Sequence, residues 1–509
     1  MTGPSAEPRR IDPTFTALPY RTLGDAALTR ARELGVSHAD FRFERVRYQY
    51  LGVRDGVLQG ASDTEDVGFS VRVIHRGAWG FAAGVFLTPE EAGRVTETAV
   101  AVALVAAEMT TSAVELAPEP VYDDVTYVSS YDVNPLDVPT AEKAAVLIDW
   151  TDRLRIGAAV DHASAFLMQV QENKYYADLA GTRTTQQRVR LQPGFEAMGT
   201  GADNFDSMAS IAPPVGRGWE YLTDGSYDWD DEIDQVPELL AEKLKAPSVE
   251  AGSYDLVIHP STLWLTIHES IGHATELDRA LGYEANYAGT SFATYDKLNR
   301  LQYGSPVMHV TGDRTVEHGL ATTGYDDEGV AAQSWDIVKD GVLVGYQLDR
   351  AMGLMKPELN GGRSNGCAYA DSPGHIPIQR MANVSLQPAA DGPSTEELIG
   401  RVERGLYIVG DKSWSIDMQR FNFQFTGQRF YTIADGQLVG QVRDVAYQAT
   451  TTEFWNSMEA VGGSQTWMLG GAFNCGKAQP GQVAAVSHGC PTSLFRGVNI
   501  LNTHDEAAH

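Results

Sequence analysis

His268-Glu269-Ser270-Ile271-Gly272-His273, inside the run from Trp264 to Arg279, is the stretch around which the chain is organised. Two imidazoles that can hold a divalent ion, with a carboxylate beside the first that can take a proton from water, are the residue types of metal-assisted hydrolysis. The spacing is unusual. Residues four apart on an α-helix are offset by about 40° and share a face, whereas residues five apart are offset by about 140°. His268 and His273 are five apart. Both reach one ion only if the helix widens by a one-residue π-bulge, or deforms at Gly272, where glycine tolerates other backbone angles. A distortion between Glu269 and His273 is therefore expected. The alternative is an ordinary helix whose polar residues are partly exposed. A metal site also needs a third ligand. Glu276 is one candidate, because a downstream carboxylate often completes a helical His pair, and the thiols of Cys475 and Cys490 are others.

Around this stretch, 509 residues without a long linker suggest two domains, 1–247 and 248–509, each long enough to bury a core. The boundary falls at Lys245-Ala246-Pro247-Ser248, a polar segment with a proline before a new apolar strand. A formal net charge of -28, with no basic cluster to offset it, argues against nucleic acid and anionic membrane as partners. Met1 to Thr16 has no apolar core of a signal peptide. The most apolar run, Ala99 to Ala107, is far shorter than the roughly 20 residues a membrane span needs, so a cytoplasmic protein is expected. Three widely spaced cysteines, Cys367, Cys475 and Cys490, do not make a disulfide framework and leave the thiols for metal or packing.

The first domain opens in the β period: Asp40 to Glu44, Tyr48 to Arg54, the turn Asp55-Gly56, Gly68 to Ile74 and Gly80 to Gly84, an antiparallel meander. Thr88-Pro89-Glu90-Glu91 then supplies a cap, an N1 proline and a first-turn carboxylate for a helix with Ala92, Val95, Ala99, Val102 and Ala106 on one face. Pro118 to Pro139 reads as a loop and Thr140 to Arg155 as a second helix. Strands follow at Ala165–Gln171, Lys174–Ala177 and Gln187–Gln192, and a third helix at about Asp234 to Leu244, capped by Asp234. The second domain starts with the strand Tyr254–Ile258, enters the His268 helix, expected to end near Gly282, and is β-rich thereafter. Its strands are expected at Val307–Thr311, Ser334–Val338, Val342–Gln347, Gly405–Val409, Arg420–Thr426, Phe430–Ile433 and Gln437–Val442. The fold class is α+β: an N-terminal antiparallel sheet covered by helices, and a β-rich C-terminal domain with one metal-binding helix.

Several separated motifs stand in one order: His268-Glu269-x-x-x-His273 with Glu276-x-Asp278, then Tyr325-Asp326-Asp327-Glu328-Gly329, Arg380-Met381-Ala382-Asn383, and Asn474-Cys475-Gly476-Lys477 with Gly481-Gln482. Together they resemble the TldD branch of the TldD/PmbA family over nearly the whole chain, and the Asp55-Gly56 hairpin and Gly68 to Arg72 strand are similar to that family's first domain. The resemblance implies a cytoplasmic zinc metallopeptidase acting on unstructured peptides in a narrow cavity between subunits. It makes His268, His273 and Cys475 the ligands of Zn2+ and Glu269 the general base. It also implies a dimer, with a PmbA-like paralogue lacking the motif or with a second copy. Cys475 is then preferred to Glu276, Asp278 would orient an imidazole or form a surface ion pair, and Cys490 and Cys367 are buried thiols. For the donor that must meet the oxyanion, His259, His375, His488 and Arg380 fit by type, and none is singled out. Two other readings stay open: a peptide-binding subunit with structural zinc, and a metal hydrolase of non-peptide substrates.

Overall fold

The computed structural model describes residues 9–202, 204–479 and 481–504; the first eight residues of the Met1 to Thr16 stretch, and with them part of the signal-peptide reading, lie outside this range. The Asp55-Gly56 turn joins β1 (His38–Arg54) to β2 (Val57–His75), and both turn residues take positive φ, 51° and 78°, as a tight hairpin requires. The two short strands expected before this turn merge into one long strand, and the one expected at Gly68 to Ile74 extends back to Val57, because β1 pairs with β2 on one edge and with β5 (His162–Asp178) on the other along most of its length. β3 (Ala78–Gly84) continues the meander. β6 (Arg183–Thr200) follows β5, with β7 (Phe205–Ala209) on it. β4 (Val125–Val128) lies in the segment expected to be a loop and pairs in parallel with β6.

Alternation along β1 gives the sheet two different faces. Phe41 and Phe43 join Leu23 and Ala27 of α2 (Tyr20–Glu33), which follows the single turn α1 (Pro13–Thr16), and Val95 and Ala99 of α3 (Pro89–Ala107) in one apolar cluster. Thr88 caps α3 as expected, accepting from the Glu91 N–H. At the other end of the sheet α4 (Thr140–Leu154) and α5 (Trp229–Lys245) pack on Leu51, Leu167 and Leu191. The cap of α5 is Asp228, six residues before the expected Asp234. Trp229 and Ile233 extend the apolar face backwards, and Pro237 consequently sits inside the helix.

The opposite face of the sheet is polar and buried, and it docks the second half of the chain. Lys174 Nζ donates to Asp327 Oδ2 at 2.7 Å, Arg72 Nη1 to Glu328 Oε1 at 2.9 Å, and the Gln186 side-chain oxygen accepts from the N–H groups of Gly324 and Tyr325. The Tyr325–Gly329 motif is thus a fixture between the two halves.

In the second half, β8 (Gly252–Ile258) leads to α6 (Pro260–Ile267). The strands β9 (Val310–Asp313), β10 (Ser334–Lys339) and β11 (Val342–Leu343), two-residue β12 (Ala368–Tyr369) and β13 (Ile378–Gln379), and β14 (Asn383–Leu386) follow the helical segment; β9, β10, β11 and β14 form one four-stranded sheet. The largest sheet here closes on itself. β15 (Arg404–Ile416) pairs with β8, β8 with β22 (Ser493–Asn502), β22 with β18 (Val445–Thr450), β18 with β16 (Asn422–Ala434), and β16 again with β15. β17 (Gln437–Val442) and β19 (Met458–Val461) flank this ring, and β20 (Met468–Lys477) with β21 (Gln482–Cys490) forms a separate ribbon. β15 and β16 absorb three of the expected strands, but Arg420, expected in a strand, stands in the turn between them with φ 63°. Among the described residues no helix is long and apolar enough to cross a membrane.

Candidate metal centre

Helix α6 begins where the sequence demands. Pro260 occupies its first turn, and the His259 side chain caps it by accepting from the Ser261 N–H at 3.2 Å. The next five residues, His268–Gly272, form a π-turn whose closing bond runs from the His273 N–H to the His268 carbonyl, five residues back. That wider turn brings residues five apart onto one face, and the two imidazole centroids stand 4.7 Å apart. The disturbed turn is satisfied by side chains. Ser270 Oγ donates to Thr266 O at 2.6 Å, Thr275 Oγ1 to Ile271 O at 2.8 Å, and Gln347 Nε2 to Gly272 O at 2.7 Å. Gly272 keeps helical angles (φ -53°), so backbone freedom is not its role. A Cβ there would lie 2.5 Å from Met381 Sδ, so a larger residue would push the Met381 side chain aside. The helix does not continue to Gly282: a short 3-10 turn ends at Thr275, Glu276 is extended, and a separate turn α7 (Leu277–Ala280) follows.

Cys475 comes from β20, a different element more than two hundred residues away, and its Sγ lies 3.5 Å from His273 Nε2. His268, His273 and Cys475 each offer a ligand atom, and these atoms lie within 4.8 Å of one another. All four residues of the expected site, Glu269 included, are buried. The exposed-helix alternative is therefore excluded.

Hydrogen bonds decide which ring nitrogens face the centre. His488 Nδ1 donates to Val384 O at 2.8 Å, leaving its Nε2 to accept from His268 Nδ1 at 2.7 Å and the His268 Nε2 lone pair free. His273 Nδ1 donates to Glu276 Oε2 at 3.1 Å, leaving its Nε2 free as well. Such outer partners fix a ligand's tautomer and ring orientation. Glu276 is accordingly the support of an imidazole, and the task expected of Asp278 is its task. Asp278 instead pairs with Lys477, whose Nζ also meets Glu276 at 3.3 Å and Glu284 at 3.0 Å.

The electrostatics suit a cation. Burial holds both His268 and His273 well below the usual histidine range, so they are neutral donors, and pushes the Cys475 thiol up to about 11 despite the nearby Arg380. A buried thiol of that kind becomes a thiolate when a metal ion compensates its charge. The donor set of two neutral imidazoles and a thiol fits a borderline-soft divalent ion. Burial also raises the pKa of Glu269, with Arg420 and the Trp414 indole holding it back. Arg420 Nη1 forms an ion pair with Glu269 Oε2.

The four candidate donors are otherwise engaged. His259 is a helix cap, His488 supports His268, His375 pairs with Asp371 at 2.6 Å, and Arg380 donates to the carbonyls of Cys475 and Gln482. Cys367 and Cys490 are buried free thiols, as expected. Sequence reasoning missed Arg420 and Trp414, and found His488 only by residue type. Nothing local marks them, since Arg420 is 151 residues from Glu269 and His488 is 220 from His268.

A fold of helix-covered antiparallel sheet and β-rich second half, with a buried His/His/Cys centre beside a carboxylate, defines a metallopeptidase-type active site. The comparisons say which kind. Residues 251–502 match the PmbA/TldA metallopeptidase C-terminal domain and residues 39–103 match PmbA/TldA metallopeptidase domain 1, together more than half of the chain. The chain belongs to the TldD/PmbA metallopeptidase family. It is 27% identical over 475 residues to a metalloprotease of Methanothermobacter thermautotrophicus, covering 92% of this chain and 96% of the relative. It is 25% identical over 477 residues to the metalloprotease TldD homolog of Haemophilus influenzae, covering 92% and 94%. Its fold is similar to that of TldE from Thermococcus kodakarensis, with a TM-score of 0.68, 15% identity, and coverage of 94% and 99%. The protein is a hydrolase of the metallopeptidase type.

Proposed function

We propose that this chain is the active, TldD-type subunit of a zinc peptidase, with His268, His273 and Cys475 as ligands of Zn2+ and Glu269 as general base. The observation that carries the reading is the convergence of two imidazole lone pairs and one thiol on a common point, beside a buried carboxylate of raised basicity. The intact motif and the likeness to a TldD homolog support the active branch. A closed structural zinc takes four protein ligands; the cluster among the described residues supplies three, which favours a fourth position left to water.

Bound there, zinc supplies a Lewis acid that polarises a carbonyl and lowers the pKa of water toward about 7. Glu269 takes a proton from the attacking water and returns it to the leaving amine. His488 and Glu276 keep the two imidazoles in the tautomers that bind metal, and Arg380 fixes the backbone at Cys475.

Selectivity in this proposal comes from shape. The centre is buried; exposed Tyr283 and Tyr287 lie on the loop after α7, exposed Met418 on the β15–β16 loop and exposed Trp414 near the end of β15. These loops touch: Gly289 packs on Met418, and the Thr290 N–H donates to Met418 O. A second subunit, a PmbA-like paralogue or another copy, closes over this rim and admits unfolded segments while excluding folded domains. The test combines metal analysis of the purified protein, its elution volume with and without the paralogue, and mass spectrometry of an unstructured peptide library beside small esters. One zinc per chain, a dimer and peptide cleavage are expected. Esterase activity without peptide cleavage would move the reading to a non-peptide hydrolase, and a fully active monomer that cuts folded proteins would remove the subunit-enclosed cleft.

A further inference from the structure

We propose that Arg420 is a catalytic residue: its guanidinium supplies the donor for the oxyanion formed when the scissile carbonyl is attacked. The inference rests on the peptidase reading above and names a group that reading lacks. Arg420 is on the β15–β16 loop and reaches back to the helical segment, where Nη1 pairs with Glu269 Oε2. The guanidinium is thereby held at the expected base, the residue that directly follows His268 in the chain. Its Nε is buried with no hydrogen-bond partner. Other buried arginines, Arg190 and Arg429 among them, also leave Nε unpaired; what sets Arg420 apart is the pair with Glu269, which holds a spare donor beside the expected base.

The backbone gives an independent indication. Arg420 has φ 63°, the left-handed region that a side-chain-bearing residue enters at a cost. The loop enforces it. The Asp417 carboxylate accepts from the N–H groups of Gln419, Phe421 and Asn422, the Arg420 N–H donates to Asp417 O, and Thr451 Oγ1 donates to Arg420 O at 2.8 Å. Strain held by so many bonds, at a residue aimed into an active site, marks a position set for function. Arg380 is the rival, with an unpaired buried Nε of its own, but it is 1% exposed and holds the carbonyls of Cys475 and Gln482. The Arg420 side chain remains 16% exposed, so it is more accessible to a bound substrate than Arg380.

The charge balance favours one guanidinium in both roles. As water adds to the carbonyl carbon, one water proton passes to Glu269 and the carbonyl π pair becomes a lone pair on oxygen. Negative charge leaves the carboxylate and appears on the oxyanion. Arg420, with five N–H donors in a planar fork, is paired with the first before the step and serves the second after it. When the oxyanion collapses, the C–N bond breaks, the amine nitrogen takes the proton from Glu269, and the original ion pair is restored.

The test uses zinc-loaded protein, a library peptide that it cleaves, and the phosphinic analogue of that peptide, whose tetrahedral anion mimics the oxyanion. Arg420→Ala is expected to lower kcat by roughly 10²- to 10³-fold with KM changed little and zinc content unchanged. Affinity for the phosphinic analogue should fall by a similar factor, and added guanidinium ion at a non-denaturing concentration, or Arg420→Lys, should restore part of the rate. The same loss of analogue affinity is expected when Arg420→Ala is placed in a Glu269→Gln background, because the contact is with the anion. If the wild type cleaves the peptide but the variant binds the analogue as tightly as wild type, or loses affinity only when Glu269 is present, Arg420 merely positions Glu269 and the proposal is overturned. A wild type that cleaves no peptide overturns the peptidase reading, and this inference with it.

Discussion

Two buried polar networks lie in this molecule, and they differ in what they bring together. Between the halves, Lys174 meets Asp327 at 2.7 Å, Glu172 at 3.3 Å and Glu44 at 3.4 Å, Glu172 meets Arg188 and Arg190, and Tyr369 donates to Glu172. Each cation there is met by an anion. At the His268 centre, by contrast, the outward nitrogens are anchored, and one ligand atom from each of His268, His273 and Cys475 lies within 4.8 Å of the others. Each network includes a run that stood out in the sequence as a motif, Tyr325–Gly329 in the first and His268–His273 in the second. Charge density, burial and unpaired atoms occur in both, since Arg190 Nε and the Glu44 oxygens also lack hydrogen-bond partners between the halves; what sets the reactive network apart is three metal-binding atoms within 4.8 Å of one another.

Breaking each network should therefore give a different phenotype. The largest effect is expected from Glu269→Gln, which keeps the ligands and so the metal but loses roughly 10²- to 10⁴-fold in peptide hydrolysis, read as kcat beside metal content. Wild-type turnover in that variant would take the base away from Glu269. In the docking network, Lys174→Met removes one partner of a buried cluster and is expected to cost about 3–5 kcal/mol of stability by denaturant unfolding. The unfolding midpoint is the readout here, with cleavage per folded molecule preserved, the reverse of the Glu269 result.

A smaller effect sharpens the comparison at the metal. His488→Leu removes the acceptor of His268 Nδ1 and is expected to weaken zinc affinity by roughly 10- to 100-fold, measured by competition with a chelator. An unchanged affinity would mean that His488 packs beside His268 without orienting it. The smallest change concerns Asp40, paired with Arg72 at 2.8 Å on the docking face. Arg72 and His38 hold its carboxyl down to about 2 from 3.8, against the effect of burial. That stabilisation, roughly 2 kcal/mol, is present above about pH 4 and is lost as pH falls through 2. Asp40→Asn should therefore be less stable than wild type at pH 7, with the gap narrowing on acidification. A gap independent of pH would assign the loss to packing.

Much of this was legible in the sequence for physical reasons. A five-residue His spacing cannot share a regular helical face, so if both His meet one ion a distortion is required, of which the π-turn was one of two forms expected, and Asp55-Gly56 and Thr88-Pro89 mark their turn and cap by local chemistry. What was not legible depends on distant residues. The ring closure by β15 needs pairing of β15 with both β8 and β16, and the strand read from Arg420 begins only at Asn422 because Asp417 and Thr451 organise the turn. The start of α5 was readable in Trp229 and Ile233 but was masked by a run of aspartates, any of which makes a cap. Glu276 looked like a ligand because its type and spacing fit; only the geometry at His273 Nδ1 shows it one bond further out.

The central claim, that Cys475 joins the two imidazoles in holding a catalytic zinc, is tested most directly by the zinc content of purified Cys475→Ala beside the wild type. The account requires about one zinc per wild-type chain and near-complete loss in the variant, with the fold retained by circular dichroism, because two imidazoles alone hold the ion poorly. Full zinc occupancy in Cys475→Ala would contradict it and return the third ligand to Glu276.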